Sequence, residues 1–182
     1  MNTFWLSRSY RRNARLYNQI HLIKMILEGC QQLSTALHLL GLGVHAPYKP
    51  THQRHPCTVW CAQRRSNFLR LCRLNLALCH EYTCRRKPAK NHACEDKIRC
   101  MSQLPRKLWR HAPVPSYAKP PVMGWVGRRF QVPLAMDPEF HREDACTAYR
   151  LWVLHKMRTN PHFQKDPQLP RKIRKLEKLC QP

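Results

Sequence analysis

His21, Lys24 and Glu28 follow one another at intervals of three and four residues in NQIHLIKMILEG, the spacing that puts side chains on one face of an α-helix. An imidazole, an amine and a carboxylate in one row are groups from which general acid-base catalysis is built. Glu28 is the notable member, because the chain holds only 10 Asp and Glu against 33 Lys and Arg. A carboxylate repels phosphate, so keeping one in a surface that binds polyanions has a cost that chemistry explains better than binding does. The spacing also suits a solvated row with an ordinary Lys24–Glu28 pair worth roughly a few tenths of a kcal/mol. Each of the three residues comes one position after Ile20, Ile23 or Leu27, so the row is expected about 100° around the helix from the apolar stripe, along its edge.

A second group lies in His52-Gln53-Arg54-His55-Pro56, just before a helical pattern. Helix starts favour anions, and His52, Arg54 and His55 are expected to touch a phosphate or an extruded base. Arg64 and Arg65 continue the basic character along that helix. Trp125, in MGWVGRR beside Arg128 and Arg129, is the candidate for stacking on a base, whereas Trp60 and Trp152 fall at helical spacing and are expected in the core. The formal net charge is +23, and its basic residues are spread from Arg8 to Lys178. Such a field attracts polyanions, and each phosphate neutralised releases a counterion, so binding is expected to fall steeply with salt. Nucleic acid, DNA in particular, is the expected partner.

The elements that must position these residues read as follows. At 182 residues the chain fits one domain with a sizeable core. Residues 3–6 form a strand or extended arm. Residues 13–40 form a helix whose stripe is Leu16, Ile20, Ile23, Leu27, Cys30, Leu33 and Leu37, ended by Gly41 and Gly43. Residues 44–58 hold three prolines and three histidines without a period and form a loop. A second helix over 59–84 buries Trp60, Phe68, Leu71, Cys72, Leu76 and Cys79. Prolines punctuate 85–140, which is expected to wrap irregularly over the helices with a short helix near 95–103. A third helix spans 142–158, and a short basic helix 170–180. The expected fold is mainly α, a single domain of three to four helices with long Pro-rich loops.

The ten cysteines do not read as a disulfide framework, since Cys30, Cys72 and Cys79 sit at helical spacing among leucines, where a thiol is a small hydrophobe. His52, His55, Cys57 and Cys61 cluster, as do Cys79, Cys84, Cys94 and Cys100, but no C-x2-C knuckle occurs and zinc is not expected. No cofactor is expected either. No run of about 20 apolar residues occurs, and the first 15 residues lack the apolar core of a secretory signal, so the expectation is an intracellular protein without a membrane partner.

The order MNTFWL, ARLYNQIHLIKMILEGCQQLSTA, YKPTHQRHPCTVW, LALCHEYT, PLAMDPEF and AYRLW resembles a phage-borne protein family across most of the chain. That family in turn resembles the pyrimidine-dimer DNA glycosylases and AP lyases of the phage endonuclease V type. The resemblance rests on a first helix with His seven residues before Glu, matched by His21 and Glu28, and on a His opening a second helix, matched by His55. It implies that Glu28 is the catalytic carboxylate and that His21 and His55 line a DNA cleft. It implies a nucleophile as well, the α-amine of a processed N-terminus, which forms a Schiff base with C1′ as the base departs. Here Met1 precedes Asn2, a large residue that disfavours removal of the initiator, and Gln19-Ile20 stands where the family has Asp-Lys. Lys24, one turn from Glu28, is the alternative amine if its surroundings lower its pKa. The expected function is therefore a DNA repair glycosylase and lyase, with a non-catalytic nucleic-acid-binding protein as the alternative.

Overall fold

The computed structural model describes residues 2–161 and 169–181. They are mainly helical, with seven α-helices among the described residues rather than the three or four expected: α1 (Tyr10–Leu16), α2 (Gln19–Leu39), α3 (Pro56–Gln63), α4 (Arg65–Arg85), α5 (Glu95–Ser102), α6 (Ala145–Thr159) and α7 (Leu169–Cys180). One antiparallel hairpin, β1 (Met123–Val126) with β2 (Phe130–Pro133), pairs Val126 with Phe130 and Met123 with Pro133. The undercount has two local causes. The expected helix over 13–40 is broken at Tyr17, which is extended (φ −67°, ψ 137°). Asn18 then starts α2, its Oδ1 accepting from the His21 backbone N–H at 2.7 Å. The expected helix over 59–84 begins earlier, at Pro56, and is broken at Arg64 (φ −146°, ψ 136°). There Asn67 Nδ2 donates to the Trp60 carbonyl at 2.9 Å, satisfying a carbonyl at the end of α3.

Contacts divide the chain into two compact units, Met1–Thr3 with Ile23–Pro120, and Phe4–Leu22 with Pro121–Pro182, so α2 passes from one to the other after Leu22. In the first unit the buried line of α2 is Met25, Ile26, Cys30, Leu33 and Leu37. The expected stripe is corrected here, because Ile20, Ile23 and Leu27 are 38%, 37% and 40% exposed. Cys30, Leu33 and Leu37 are buried as expected. Trp60, Phe68, Leu71, Cys72 and Cys79 fill the core of α3 and α4, and Leu76 is half-buried. At Gly29 a Cβ would lie 2.1 Å from Asn75 Oδ1, so only glycine leaves room for the α4 amide against α2. The expected short helix near 95–103 is α5, and Phe68 receives Trp109 edge-on at 4.9 Å.

The second unit is built on the arm 4–7, which is buried and belongs to no helix or strand. Asn13 of α1, fully buried, substitutes for a strand partner: its Oδ1 accepts from the Leu6 N–H at 2.7 Å and its Nδ2 donates to the Phe4 carbonyl at 3.1 Å. Tyr17 Oη also donates to Phe4 O at 2.8 Å. Phe4 packs on the rings of Tyr17, His21, Tyr149 and Trp152. The hairpin within the proline-rich tract was not foreseen. Gly124 lets it lie against α6, where a Cβ would meet Ala145 at 3.1 Å, and Tyr149 Oη donates to Pro133 O at 2.6 Å. Asp144 caps α6 by accepting from Thr147 N at 2.8 Å.

A candidate active site around Glu28

The side chain of Glu28 is 15% exposed, on the face of α2 that turns towards residues 2 and 3. The backbone nitrogen of Asn2 donates to Glu28 Oε2 at 3.3 Å. One residue on, and one helical turn on, Thr3 Oγ1 donates to Gln32 Oε1 at 2.8 Å in a buried contact. The start of the chain is thus laid along α2 in register, residue 2 on Glu28 and residue 3 on Gln32. The Asn2 side chain is held too, its Oδ1 accepting from Thr3 N at 2.8 Å and from Cys57 Sγ at 3.6 Å. Lys24 Nζ lies 3.8 Å from Glu28 Oε1, but its side chain is 67% exposed.

His55 caps α3, its Nδ1 accepting from Cys57 N at 3.2 Å, which leaves the ring proton on Nε2. Burial, helped by nearby positive charge including His52, brings its pKa down to about 4, so at neutral pH it is an uncharged donor. Tyr117, beside Cys57, has its hydroxyl buried and without a hydrogen-bond partner among the described residues. Burial, with the Cys57 charge adding, pushes that phenol up to about 12. Thr3, Gln32 and Tyr117 were not singled out from the sequence; Cys57 was weighed there only as a zinc ligand, and Asn2 only as a residue whose size disfavours removal of Met1. The contact of Asn2 with Glu28 and the burial of Tyr117 have no sequence signal.

The other expected residues are dispersed. His21 belongs to the second unit, where it is buried, meets Phe4 edge-on at 5.0 Å and receives a contact from Asn18 Nδ2 at 3.3 Å. It is a packed core histidine rather than the open member of a polar row, which corrects the expectation of three residues lining one edge. His52 is exposed with φ +49° and is bonded to Thr51 Oγ1 at 2.7 Å, and Arg54 is exposed. Arg64 is exposed at the helix junction, while Arg65 is half-buried and donates to Leu104 O at 3.4 Å. Trp125, Arg128 and Arg129 are exposed together at the hairpin in the second unit, and Trp60 and Trp152 are buried as expected. Among the described residues no group of three or more His, Cys, Asp and Glu could hold a metal, and no helix is long and apolar enough to cross a membrane. No protein-family model, curated protein or solved structure matches the chain.

Proposed function

We propose that this protein is a DNA N-glycosylase and AP lyase acting on damaged pyrimidines, with Glu28 as its acid-base group and the nitrogen of residue 2 as its nucleophile. The observation that carries the reading is the 3.3 Å contact between Asn2 N and Glu28 Oε2. Cleavage before residue 2, by a route other than the ordinary initiator-Met removal that the size of Asn2 disfavours, turns that nitrogen into an α-amine. Such an amine ordinarily titrates near ~8, more than two units below a lysine ammonium, and so is partly neutral at physiological pH. Its attack forms an N–C1′ bond while the C1′–base bond breaks and the base leaves with a proton. Opening of the sugar ring gives the Schiff base. Loss of a C2′ proton then expels the 3′ phosphate. Glu28 accepts the proton of the attacking amine and faces the cationic sugar as it forms. His55, uncharged with Nε2–H as donor, supplies a hydrogen bond without adding charge.

The net charge of +23 supports a nucleic-acid partner, and the target base must leave the stack to reach a partly buried carboxylate. The test is borohydride trapping on ultraviolet-irradiated duplex DNA. The expected result is a covalent adduct with wild-type protein and none with Glu28→Gln. Equal, salt-sensitive binding to damaged and intact DNA with no adduct would place the protein among non-catalytic nucleic-acid binders and end this reading.

A further inference from the structure

The second unit carries a basic groove that the chemistry at Glu28 does not use. Its floor is the hairpin turn, Gly127-Arg128-Arg129, against the start of α1, with Arg8, Tyr10 and Arg11 on the other side, and its volume is about 910 Å³. Among the described residues no carboxylate lines it. Gly127 has φ +60°, a conformation that favours glycine, and a Cβ there would press on the Arg8 stem at 3.1 Å from its Cδ and Nε. Among the described residues Arg11, Arg128 and Arg129 make no ion pair, and all three are exposed. A second hollow of about 310 Å³ adjoins the first, sharing Arg8, Gly127 and Arg128 and adding Trp125, Glu143 and Asp144.

Trp125 sits between buried Gly124 and Val126 on β1, so strand alternation turns its indole outward, where it is 39% exposed. Its backbone is fixed by donation from Trp125 N to Glu143 O at 2.6 Å. Arg8 spans the two hollows and lies 3.9 Å from Asp144 Oδ1; the carboxylates of Glu143 and Asp144 disfavour phosphate in the indole hollow, and the unpaired guanidiniums of Arg11, Arg128 and Arg129 favour it in the other. We infer that this paired groove is a binding site for single-stranded nucleic acid, with backbone phosphates between the Arg8–Arg11 and Arg128–Arg129 sides and an unstacked base on Trp125. In a duplex both faces of a base are covered by its neighbours, so the indole contact selects an unpaired strand. The inference shares with the proposed function only its premise of a nucleic-acid partner.

The test uses the full chain and a labelled 12-nucleotide oligothymidylate, with binding followed by fluorescence anisotropy at several salt concentrations. Trp125→Ala is expected to weaken oligothymidylate binding by ~5- to 150-fold with little change in the salt slope, and Trp125→Phe to recover most of the loss. Duplex affinity is expected to stay within about twofold for both. Arg11→Ala/Arg128→Ala/Arg129→Ala is expected to reduce the slope of log K against log salt by about 2, from roughly 0.7 per phosphate contact. Arg171→Ala/Arg174→Ala/Lys175→Ala removes the same charge from exposed positions on α7 and sets the effect of net charge alone. A control triple that lowers the slope as much as the groove triple overturns the inference, as does Trp125→Ala that leaves oligothymidylate binding unchanged or weakens duplex equally. Photocrosslinking wild-type protein to an iodouracil oligonucleotide needs no variant: adducts at Trp125 are expected, and adducts confined to other segments overturn the site. Glu28→Gln should keep full oligothymidylate affinity, so loss of trapping and loss of this groove are separate results.

Discussion

Gly29, next in sequence to Glu28, is the position where the packing behind the candidate site can be tested most sharply. Alanine at 29 places its Cβ 2.1 to 2.5 Å from the terminal atoms of the Asn75 side chain. Asn75 is 1% exposed and spends one amide proton on the Leu71 carbonyl at 3.0 Å, with its Oδ1 buried and unpartnered among the described residues. At 1% exposure it cannot swing out into solvent. Overpacking costs ~1–3 kcal/mol and a stranded buried amide ~1–3 kcal/mol, while replacing glycine inside a helix returns about 1 kcal/mol. The expected net loss is about 3 kcal/mol, which for a chain of this size lowers the melting temperature by roughly 6–12 °C. Asn75→Ala removes an already unsatisfied oxygen along with one hydrogen bond, and should cost about 1 kcal/mol or less. The double variant should be no less stable than Asn75→Ala, giving a coupling of about 3 kcal/mol in a double-mutant cycle. Urea unfolding followed by circular dichroism measures all four proteins. Strictly additive effects would refute the claim that the Asn75 side chain is what excludes a Cβ at position 29.

Three further outcomes follow from the same contacts. The folded-state pKa of His55 lies below its unfolded value of about 6.5, near 4, so its contribution to stability is present above ~6.5 and is lost as pH falls towards 4. His55→Asn keeps a good helix cap and should flatten that part of a melting-temperature profile, whereas an unchanged profile would deny the histidine this role. Asn13→Ala removes both side-chain bonds to the arm and should cost about 2 kcal/mol, with faster hydrogen exchange at the Leu6 amide by ~10- to 100-fold; native-like protection there would contradict it. Titration with a thiol reagent under native conditions should find Cys84 and Cys100 fast and Cys180 slower, with the seven buried cysteines reacting only after unfolding.

Helical character was legible because long stretches of the chain carry apolar residues at helical spacing, but the phase of α2 was not. Ile20, Leu22, Ile23, Met25, Ile26 and Leu27 are all apolar, so two lines of 3.6-residue period fit the same segment, and only packing selects the one through Ile26 and Cys30. The breaks at Tyr17 and Arg64 carry no Gly or Pro. They are made by Asn18 and Asn67, whose amides bond to helix-end backbone, and single asparagines inside an apolar pattern do not announce this in sequence. The hairpin was hidden because its strands are four residues long and lie in a proline-rich tract, although Gly127 between Val126 and Arg128 is the turn signal. At the candidate site, Glu28 stood out by scarcity of acids. Its contacts with Asn2, and the grouping of Asn2 with Cys57, join residues 26 and 55 positions apart, which no local pattern encodes. His21 was misplaced for a related reason: spacing gives the face of a helix, but burial against Phe4 depends on where the arm lies.

The claim that residue 2 and Glu28 form one catalytic pair is tested most directly by peptide mapping of the borohydride-trapped complex. Mass spectrometry is expected to find the reduced sugar remnant on the α-nitrogen of Asn2, in protein whose terminal sequencing begins at Asn2, and no such adduct with Glu28→Gln. A remnant on Lys24 or on any other lysine, or an adduct that persists in Glu28→Gln, would contradict it.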